Sequence, residues 1–245
     1  MNASLKKLSY VQKTILGRCG KLIQTHQMLY PGARVGVALS GGVDSWVLLQ
    51  TLLLRQRIVP FNFELMVIHL NPGFNPTNHF PLLKWLDQNQ LPAHVEQTNF
   101  GPVAHSKQNL KKSACFWCSW QRRKRLFELC AHYRLSHLAM GHILDDLVAN
   151  FFMNLIQNGR IDGMAAKESF FGGKLMVIRP LLGLEKKIII QAARKWNLPV
   201  WTNPCPSAQT SKRTTLLKQI LTNLDLSPKQ KKNIMAGIRR WQLKI

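Results

Sequence analysis

Short apolar runs alternate along this chain with segments in which apolar residues recur every three or four positions. The runs predict strands at 34–39, at 64–70, near 94–96, at 137–140 and at 174–178. The helical spacing predicts helices that end near 55 and that span about 79–89, 118–133, 145–158 and 185–196. Strands that alternate with helices are typical of an α/β fold, in which helices cover both faces of a parallel sheet. We therefore expect a ligand at the carboxyl ends of the strands.

The two ends of the chain lie outside this alternation and are basic. Apolar residues at helical spacing between 5 and 29 predict one or two amphipathic helices, which Pro31 and Gly32 end. From 211 onward, two short basic helices are predicted around Ser227 and Pro228. The expected organisation is a helical segment at 1–30, an α/β domain at 31–210 and a basic helical tail at 211–245.

A glycine-rich turn, Ser40-Gly41-Gly42-Val43-Asp44-Ser45, joins the first predicted strand to its helix. Glycines let the backbone approach an anion closely, and the start of the helix adds its positive dipole end. The hydroxyls of Ser40 and Ser45 can donate to phosphate, and Asp44 can hold a magnesium ion. Because no Gly-Lys-Ser/Thr follows, this is not the Walker form. An ordinary turn between a strand and a helix is the alternative.

A second polar turn, Gly141-His142-Ile143-Leu144-Asp145-Asp146, follows the fourth predicted strand and opens a helix. Parallel strands bring both turns to the same edge of the sheet. Two acids in a first helical turn can simply be partners of the helix dipole. Together with Asp44, Asp145 and Asp146 are more readily explained as ligands of magnesium over the phosphates of ATP.

The five cysteines are an odd number in a chain that opens without an export signal, which argues against a disulfide framework. Cys115 and Cys118 form a Cys-x-x-Cys pair directly before a predicted arginine-rich helix, where cations favour thiolates. Zinc would normally require four protein ligands, and the next candidate is Cys205. Three thiolates suggest an iron–sulfur cluster with one open iron. Cys19 and Cys130 lie among apolar residues at helical spacing and are predicted to be buried structural thiols.

The charge of the chain indicates a polyanionic partner. Lysine and arginine number 34 against 11 aspartates and glutamates, for a formal net charge of +23, so we expect contact with nucleic acid. A solubilising surface is the alternative, but such surfaces usually mix both signs. The apolar runs are too short to span a bilayer and no signal peptide is recognised, so a soluble, cytoplasmic protein without a membrane partner is expected.

Several motifs occur in an order that resembles the tRNA 2-thiocytidine synthetases, the TtcA family of the PP-loop ATP-pyrophosphatases. They are the glycine turn at 40–45, Cys115-x-x-Cys118, Gly141-His142-x-x-Asp145-Asp146, the run 150–164, Arg179-Pro180-Leu181 and the late Cys205. The resemblance covers about 30–218. It implies a Rossmann-like PP-loop domain of the adenine nucleotide alpha hydrolase type, with helical extensions at both ends.

The resemblance also implies an activity: ATP-dependent and [4Fe-4S]-dependent replacement of the 2-oxygen of a cytidine by sulfur, at position 32 of the tRNA anticodon loop. Ser40, Gly41, Gly42, Asp44, Ser45, Gly141 and His142 would then bind ATP, and Asp44, Asp145 and Asp146 would bind Mg²⁺. Cys115, Cys118 and Cys205 would ligate the cluster, whose fourth iron accepts hydrosulfide. Asp44 and the three cysteines are thus the candidate catalytic residues. Hydrosulfide or a cysteine desulfurase would supply the sulfur, and the amino-terminal helices could serve a homodimer.

The chain departs from the family pattern at three places. Val43 stands where the family usually has lysine, Ile143 stands where a second histidine is common, and Ala208 replaces the partner of Cys205. Other readings therefore stay open: a thiolase for another nucleotide or a small molecule, a ligase like tRNA lysidine synthetase, or a non-catalytic RNA-binding protein with structural zinc. Trp117 and Trp120 are candidates for stacking on a base, and core packing is their alternative role.

Overall fold

A computed structural model describes residues 8–109, 113–202, 204–207, 219 and 222–243. Its single sheet has six strands in the order β3-β2-β1-β4-β6-β5. The strands are β1 (Arg34–Ala38), β2 (Glu64–Asn71), β3 (Ala93–Gln97), β4 (His137–Ala139), β5 (Lys167–Phe170) and β6 (Leu175–Ile178). All neighbours pair in parallel except β5, which runs antiparallel to β6 at the edge. The predicted α/β fold with a mostly parallel sheet is confirmed.

The strand order reverses between β1 and β4. From β1 the chain proceeds outward to β2 and β3, whereas from β4 it proceeds the other way to β6. In such sheets the two loops that leave the central strands diverge and open a crevice at the carboxyl ends. The turns after β1 and β4 are the glycine turn and the acidic turn, so the topology brings both predicted turns to this crevice.

Helices lie on both faces of the sheet. Their bounds are α1 (Tyr10–Thr25), α2 (Val43–Gln56), α3 (Phe80–Asn89), α4 (Phe100–Ala104), α5 (Ala114–His132), α6 (Leu144–Asn158), α7 (Lys186–Lys195) and α8 (Pro228–Leu243). One face of the sheet packs with α1, α2, α3, α6 and α7 in the larger apolar cluster, and the other packs with α5. In the described ranges, no helix is both long enough and apolar enough to cross a membrane.

Side chains on β2 show how the sequence divides between these two cores. Leu65 and Val67 enter the larger cluster, whereas Ile68 and Leu70 enter the cluster with α5. Successive strand residues point to opposite faces, so a strand covered on both faces is apolar at nearly every position. This is why the strands were visible in the sequence as short uninterrupted apolar runs.

The structure corrects the predicted start of the helix that carries the cysteines. Helix α5 begins at Ala114 instead of 118, because the Ser113 hydroxyl accepts a hydrogen bond from the Phe116 N–H and caps the helix. Cys115 and Cys118 therefore lie in its first turns and not before it. A short helix, α4, and the edge strand β5 were not predicted. The tail contains helix α8 after Ser227, as expected, but most of the preceding predicted helix lies outside the described residues.

The amino-terminal helix belongs to the main core. Ile15 and Cys19 on α1 are fully buried, and α1 contacts both α2 and α7. This apolar face is therefore not available to a second copy of the chain, and a homodimer stays a prediction without support from α1.

Candidate active site

The glycine turn after β1 is held together by its own two serines. The Ser45 hydroxyl donates to the Gly42 carbonyl at 2.8 Å and accepts from the Ser40 N–H at 3.2 Å. The Ser40 hydroxyl lies 3.2 Å from the same oxygen. Ser45 is only 4% exposed, so it shapes the turn, while Ser40 stands at the surface where a phosphate can reach it.

Two glycines let other segments approach this turn closely. Gly41 has a φ of +90°, and a Cβ there would lie 2.2 Å from the ring of Trp201. The backbone N–H of Trp201 donates to the Gly41 carbonyl at 3.1 Å. Gly141, after β4, lies against the start of α2: a Cβ there would be 3.0 Å from the Ser45 nitrogen. A side chain at either position would force these segments apart. The two turns predicted from the sequence are thus in direct contact.

The carboxylates of the site are engaged by lysines that the sequence reasoning did not single out. Both oxygens of Asp44 accept from Lys186 Nζ, at 2.7 and 2.8 Å. Asp145 accepts from the Lys186 N–H at 2.9 Å and from Lys231 Nζ, on α8, at 2.6 Å. The crevice therefore holds alternating negative and positive groups contributed by α2, α6, α7 and α8.

Asp146 is a partly buried acid of the site. Its Oδ2 accepts from the Ile143 N–H at 2.9 Å, which begins α6. Burial raises the pKa of the Asp146 carboxyl, the Asp44 and Asp145 charges add to the rise, and Lys186 opposes it. A cation bound beside these carboxylates would relieve their mutual repulsion.

These acids do not form a preassembled metal cage. Across the part of the chain that the structure describes, no three or more histidine, cysteine, aspartate or glutamate side chains are grouped tightly enough to hold one metal ion. Magnesium in nucleotide sites is usually held by one or two carboxylates together with phosphate oxygens. The carboxylates are therefore suited to an ion that arrives with a nucleotide, and the magnesium ligands stay a prediction.

Cys115, Cys118 and Cys205 lie in one neighbourhood although Cys205 is far away in sequence. Burial raises the pKa of the Cys118 thiol, Arg122 opposes that rise, and the thiols of Cys205 and Cys115 add to it. The loop of Cys205 is fixed against α4, since His105 Nε2 lies 2.7 Å from the Ser207 hydroxyl. Arg122 Nε is buried and makes no hydrogen bond to any described residue.

His69 and Trp201 connect the cysteines to the glycine turn. His69 Nδ1–H donates to the Leu39 carbonyl, directly before Ser40, at 2.7 Å, and its ring centroid lies 5.7 Å from that of Trp201. Burial lowers the pKa of His69 to about 4, and the charges of His79 and Arg122 contribute. Arg122 is four residues from Cys118, and Trp201 is four from Cys205.

The other two cysteines and His142 have identifiable surroundings. Cys19 and Cys130 are 0% and 1% exposed, which confirms the prediction that both are buried, and this burial raises the pKa of each thiol to about 12. His142 Nδ1 accepts from Arg179 Nε at 3.3 Å, and Arg179 is fixed in turn by Glu168 at 3.0 Å. Ala208 lies outside the described residues.

Comparisons with known proteins agree with this geometry. The family model of the PP-loop domain matches residues 12–224. The tRNA-cytidine(32) 2-sulfurtransferase of Dichelobacter nodosus is 30% identical over 241 residues, which cover 98% of this chain and 89% of that protein. The tRNA-cytidine(32) 2-sulfurtransferase 1 of Francisella tularensis subsp. novicida is 28% identical over 237 residues, covering 96% and 88%.

A solved structure supports the fold independently. The U34-tRNA thiolase NcsA from Methanococcus maripaludis with its [4Fe-4S] cluster superposes with a TM-score of 0.77 at 21% identity, covering 96% of this chain and 80% of that chain. The glycine turn at the strand reversal, the acidic turn beside it and the match over most of the chain lead to one conclusion. The chain belongs to the PP-loop ATP-pyrophosphatase family and is a distant homologue, over nearly its whole length, of the tRNA-cytidine(32) 2-sulfurtransferases.

Proposed function

We propose that this protein is an ATP-dependent tRNA thiolase that replaces the 2-oxygen of a cytidine, at position 32 of the anticodon loop, by sulfur. The supporting observation is that Arg122 is close enough to act on both Cys118 and His69, and His69 donates to the Leu39 carbonyl directly before the glycine turn. Trp201, four residues before Cys205, contacts the same turn at Gly41. Similarity to proteins described as tRNA-cytidine(32) 2-sulfurtransferases supports the acceptor.

The first half of the reaction activates the base. The C2 oxygen of cytidine is a poor leaving group, so it first attacks the α-phosphorus of ATP and pyrophosphate departs. The Ser40 hydroxyl, the backbone of the glycine turn and the start of α2 stabilise the developing phosphate charge. Asp44, with Asp145 and Asp146, would hold Mg²⁺, which offsets charge on the departing pyrophosphate.

The second half exchanges the atoms. Hydrosulfide adds to C2. Where a cysteine desulfurase supplies the sulfur, it arrives as a persulfide, and thiols must first reduce it by two electrons to release hydrosulfide. The C2–O bond then breaks and AMP leaves with the oxygen, so the base gains one sulfur and loses one oxygen without net oxidation. Fixing the sulfur and the activated carbon in one crevice converts an encounter in solution into a local step.

The three cysteines fit a [4Fe-4S] cluster. The charges of the Cys115 and Cys205 thiols raise the pKa of the Cys118 thiol, so both lie near Cys118. Arg122 Nε is buried near Cys118 and has no hydrogen-bond partner among the residues that the structure describes, which suits a thiolate-rich, anionic group. When bound, such a cluster supplies one iron without a protein ligand as the place where sulfur is held.

The surface of α5 beside the cysteines suits an RNA loop. Phe116 and Trp120 are 52% and 49% exposed, and the neighbouring side chains of Arg123 and Lys124 are exposed as well. Lys124 Nζ lies 6.0 Å from the centre of the Trp120 ring. Bases turned out of a loop stack on such aromatic side chains, and cations pair with the phosphates. Trp117 is half-buried, so Trp120 is the better candidate of the two.

Anaerobic purification followed by an assay on an anticodon stem–loop tests this proposal. Iron, sulfide and zinc are quantified, and the product nucleosides are analysed by mass spectrometry after incubation with ATP, Mg²⁺ and hydrosulfide. We expect iron in the protein and 2-thiocytidine in the RNA. Cys115→Ser should abolish both while leaving ATP affinity unchanged, and the buried Cys130→Ser is the matched control.

Three results distinguish the alternatives. Full activity of Cys115→Ser in an ATP-dependent ligation would favour a lysidine-type enzyme. A colourless protein with stoichiometric zinc and no product would favour a structural RNA-binding protein. A thiolated product at another position or on another nucleotide would correct the acceptor and keep the thiolase activity.

A further inference from the structure

The glycine turn contains no cation to meet a triphosphate. Its only charged side chain is that of Asp44, and Val43 is half-buried against the larger apolar core. ATP brings several negative charges to this turn, and backbone N–H groups with a helix start offset only part of them. The acids on the neighbouring turn add further negative charge. A cation from elsewhere in the fold is therefore required at the phosphates.

Lys186 is placed where this cation is needed. It is the first residue of α7, and its side chain reaches Asp44 in the first turn of α2 at 2.7 and 2.8 Å. Its own N–H donates to Asp145, which fixes the backbone from which the side chain extends. The charges that face it are those of Asp44, Asp145 and Asp146, and the second lysine of the site, Lys231, is paired with Asp145.

The ion pair of Lys186 with Asp44 contributes little to the stability of the fold. The Lys186 side chain is 45% exposed and that of Asp44 is 26% exposed, and such partly solvated pairs have small net energies. A lysine with a long, flexible stem can exchange one anionic partner for another without disturbing α7. The pair is thus better explained by ligand binding than by packing.

We propose that Lys186 is the phosphate-binding cation of the nucleotide site and substitutes for the charge that Val43 does not provide. Asp44 holds the ammonium group near the turn in the absence of nucleotide. When a magnesium-bound triphosphate enters, Asp44 turns to the metal and Lys186 to the phosphate oxygens. This inference rests on the ATP half of the proposed function and not on the identity of the RNA acceptor.

Binding measurements with three probes test the inference: MgATP, inorganic pyrophosphate and adenosine. A lysine that contacts phosphate contributes to the first two and not to the third. We expect Lys186→Met to weaken MgATP and pyrophosphate binding by about tenfold to a hundredfold, the range of a charged hydrogen bond, with adenosine binding unchanged. Lys187→Met is the matched control, because Lys187 is its exposed neighbour and makes none of these contacts. Lys186→Arg should retain most of the affinity.

A double variant that moves the cation from Lys186 to position 43 tests the inference independently. In the double variant Val43→Lys with Lys186→Met, the cation is restored from the turn itself, and MgATP affinity should recover most of the loss. Equal affinity of Lys186→Met and Lys187→Met for MgATP would overturn the inference. A loss that is the same for adenosine as for MgATP, or no recovery in a folded double variant, would overturn it too. None of these results bears on whether tRNA is the acceptor, which the stem–loop assay decides separately.

Discussion

Among single residues, the ionised Asp146 carboxylate of the site lowers the stability of the folded protein. Asp146 is partly buried near Asp44 and Asp145, and burial raises its pKa above the usual value for aspartate. The folded protein therefore binds this proton more tightly than the unfolded chain does. The protonated carboxyl therefore contributes fully to the free energy of unfolding at pH values below the pKa that Asp146 has in the unfolded chain. This contribution is lost as the pH rises through the higher pKa that Asp146 has in the folded protein.

Asp146→Asn should separate stability from activity. The amide oxygen can still accept from the Ile143 N–H, while the charge that destabilises the folded state is removed. At neutral pH the midpoint of thermal unfolding should rise by on the order of a few degrees, and the difference should vanish in acid. Magnesium-dependent turnover of ATP should fall in the same variant. Calorimetry at two pH values checks the first part, and an unchanged or lower midpoint at neutral pH would contradict it.

The site residues that could be predicted from the sequence lie close together along the chain, whereas those that were missed are brought together only by the fold. The glycine turn and the Asp145-Asp146 pair were predictable because each combines its chemistry within six consecutive residues at a strand end. Lys186 and Trp201 enter the site only through space, across long sequence separations, and no local pattern distinguishes them from surface lysine or core tryptophan. Cys205 could be predicted to lie with Cys115 and Cys118 because thiols are few in this chain, and not because a local pattern gave its position; its charge does act on Cys118.

At the scale of elements, helix α8 connects the tail to the nucleotide site. Ile238 is 4% exposed and packs so closely on Gly163 that a Cβ there would lie 3.0 Å from its Cδ1. On the preceding turns of the same helix, Lys231 pairs with Asp145 at 2.6 Å. The packing of α8 on Gly163 therefore determines the position of the Lys231 ammonium group in the crevice.

Ile238→Ala should loosen this helix selectively. Truncating a buried isoleucine lowers the free energy of unfolding by about 2–4 kcal/mol. The loss should appear first as faster amide hydrogen exchange in α8 and then as weaker ATP binding. Asn233→Ala, at an exposed position of α8, is the control. If exchange in α8 were the same in both variants, the helix would not depend on this contact.

The elements themselves were largely predictable, and their limits were less so. The parallel strands were visible because burial on both faces makes them continuously apolar. The edge strand β5 escaped because Lys167–Phe170 is half-exposed and its pattern is mixed. The start of α5 was misplaced because the Ser113 cap, rather than the apolar spacing, determines where that helix begins.

At the scale of the whole molecule, the net charge of +23 bears on the proposed binding of RNA. Exposed cations lie on α5 near the cysteines and on α8, where Lys229, Lys232, Arg239 and Arg240 are exposed. A surface of this kind binds phosphates and releases their counterions. Affinity for tRNA should therefore depend steeply on salt.

Titration of tRNA at several salt concentrations measures this dependence. If about five phosphates are neutralised, the logarithm of the association constant should fall with the logarithm of salt with a slope near −4. Lys232→Glu should make the slope shallower and leave ATP binding intact. A slope close to zero would mean that the basic surface is not an RNA-binding surface.

The most direct measurement of the central claim is nucleoside mass spectrometry of tRNA from cells with the gene, without it, and with the Cys115→Ser variant in its place. We expect 2-thiocytidine to be present with the intact gene and absent in the other two, while other modified nucleosides are unchanged. If no thiolated nucleoside disappears when the gene is removed, the protein is not a tRNA thiolase.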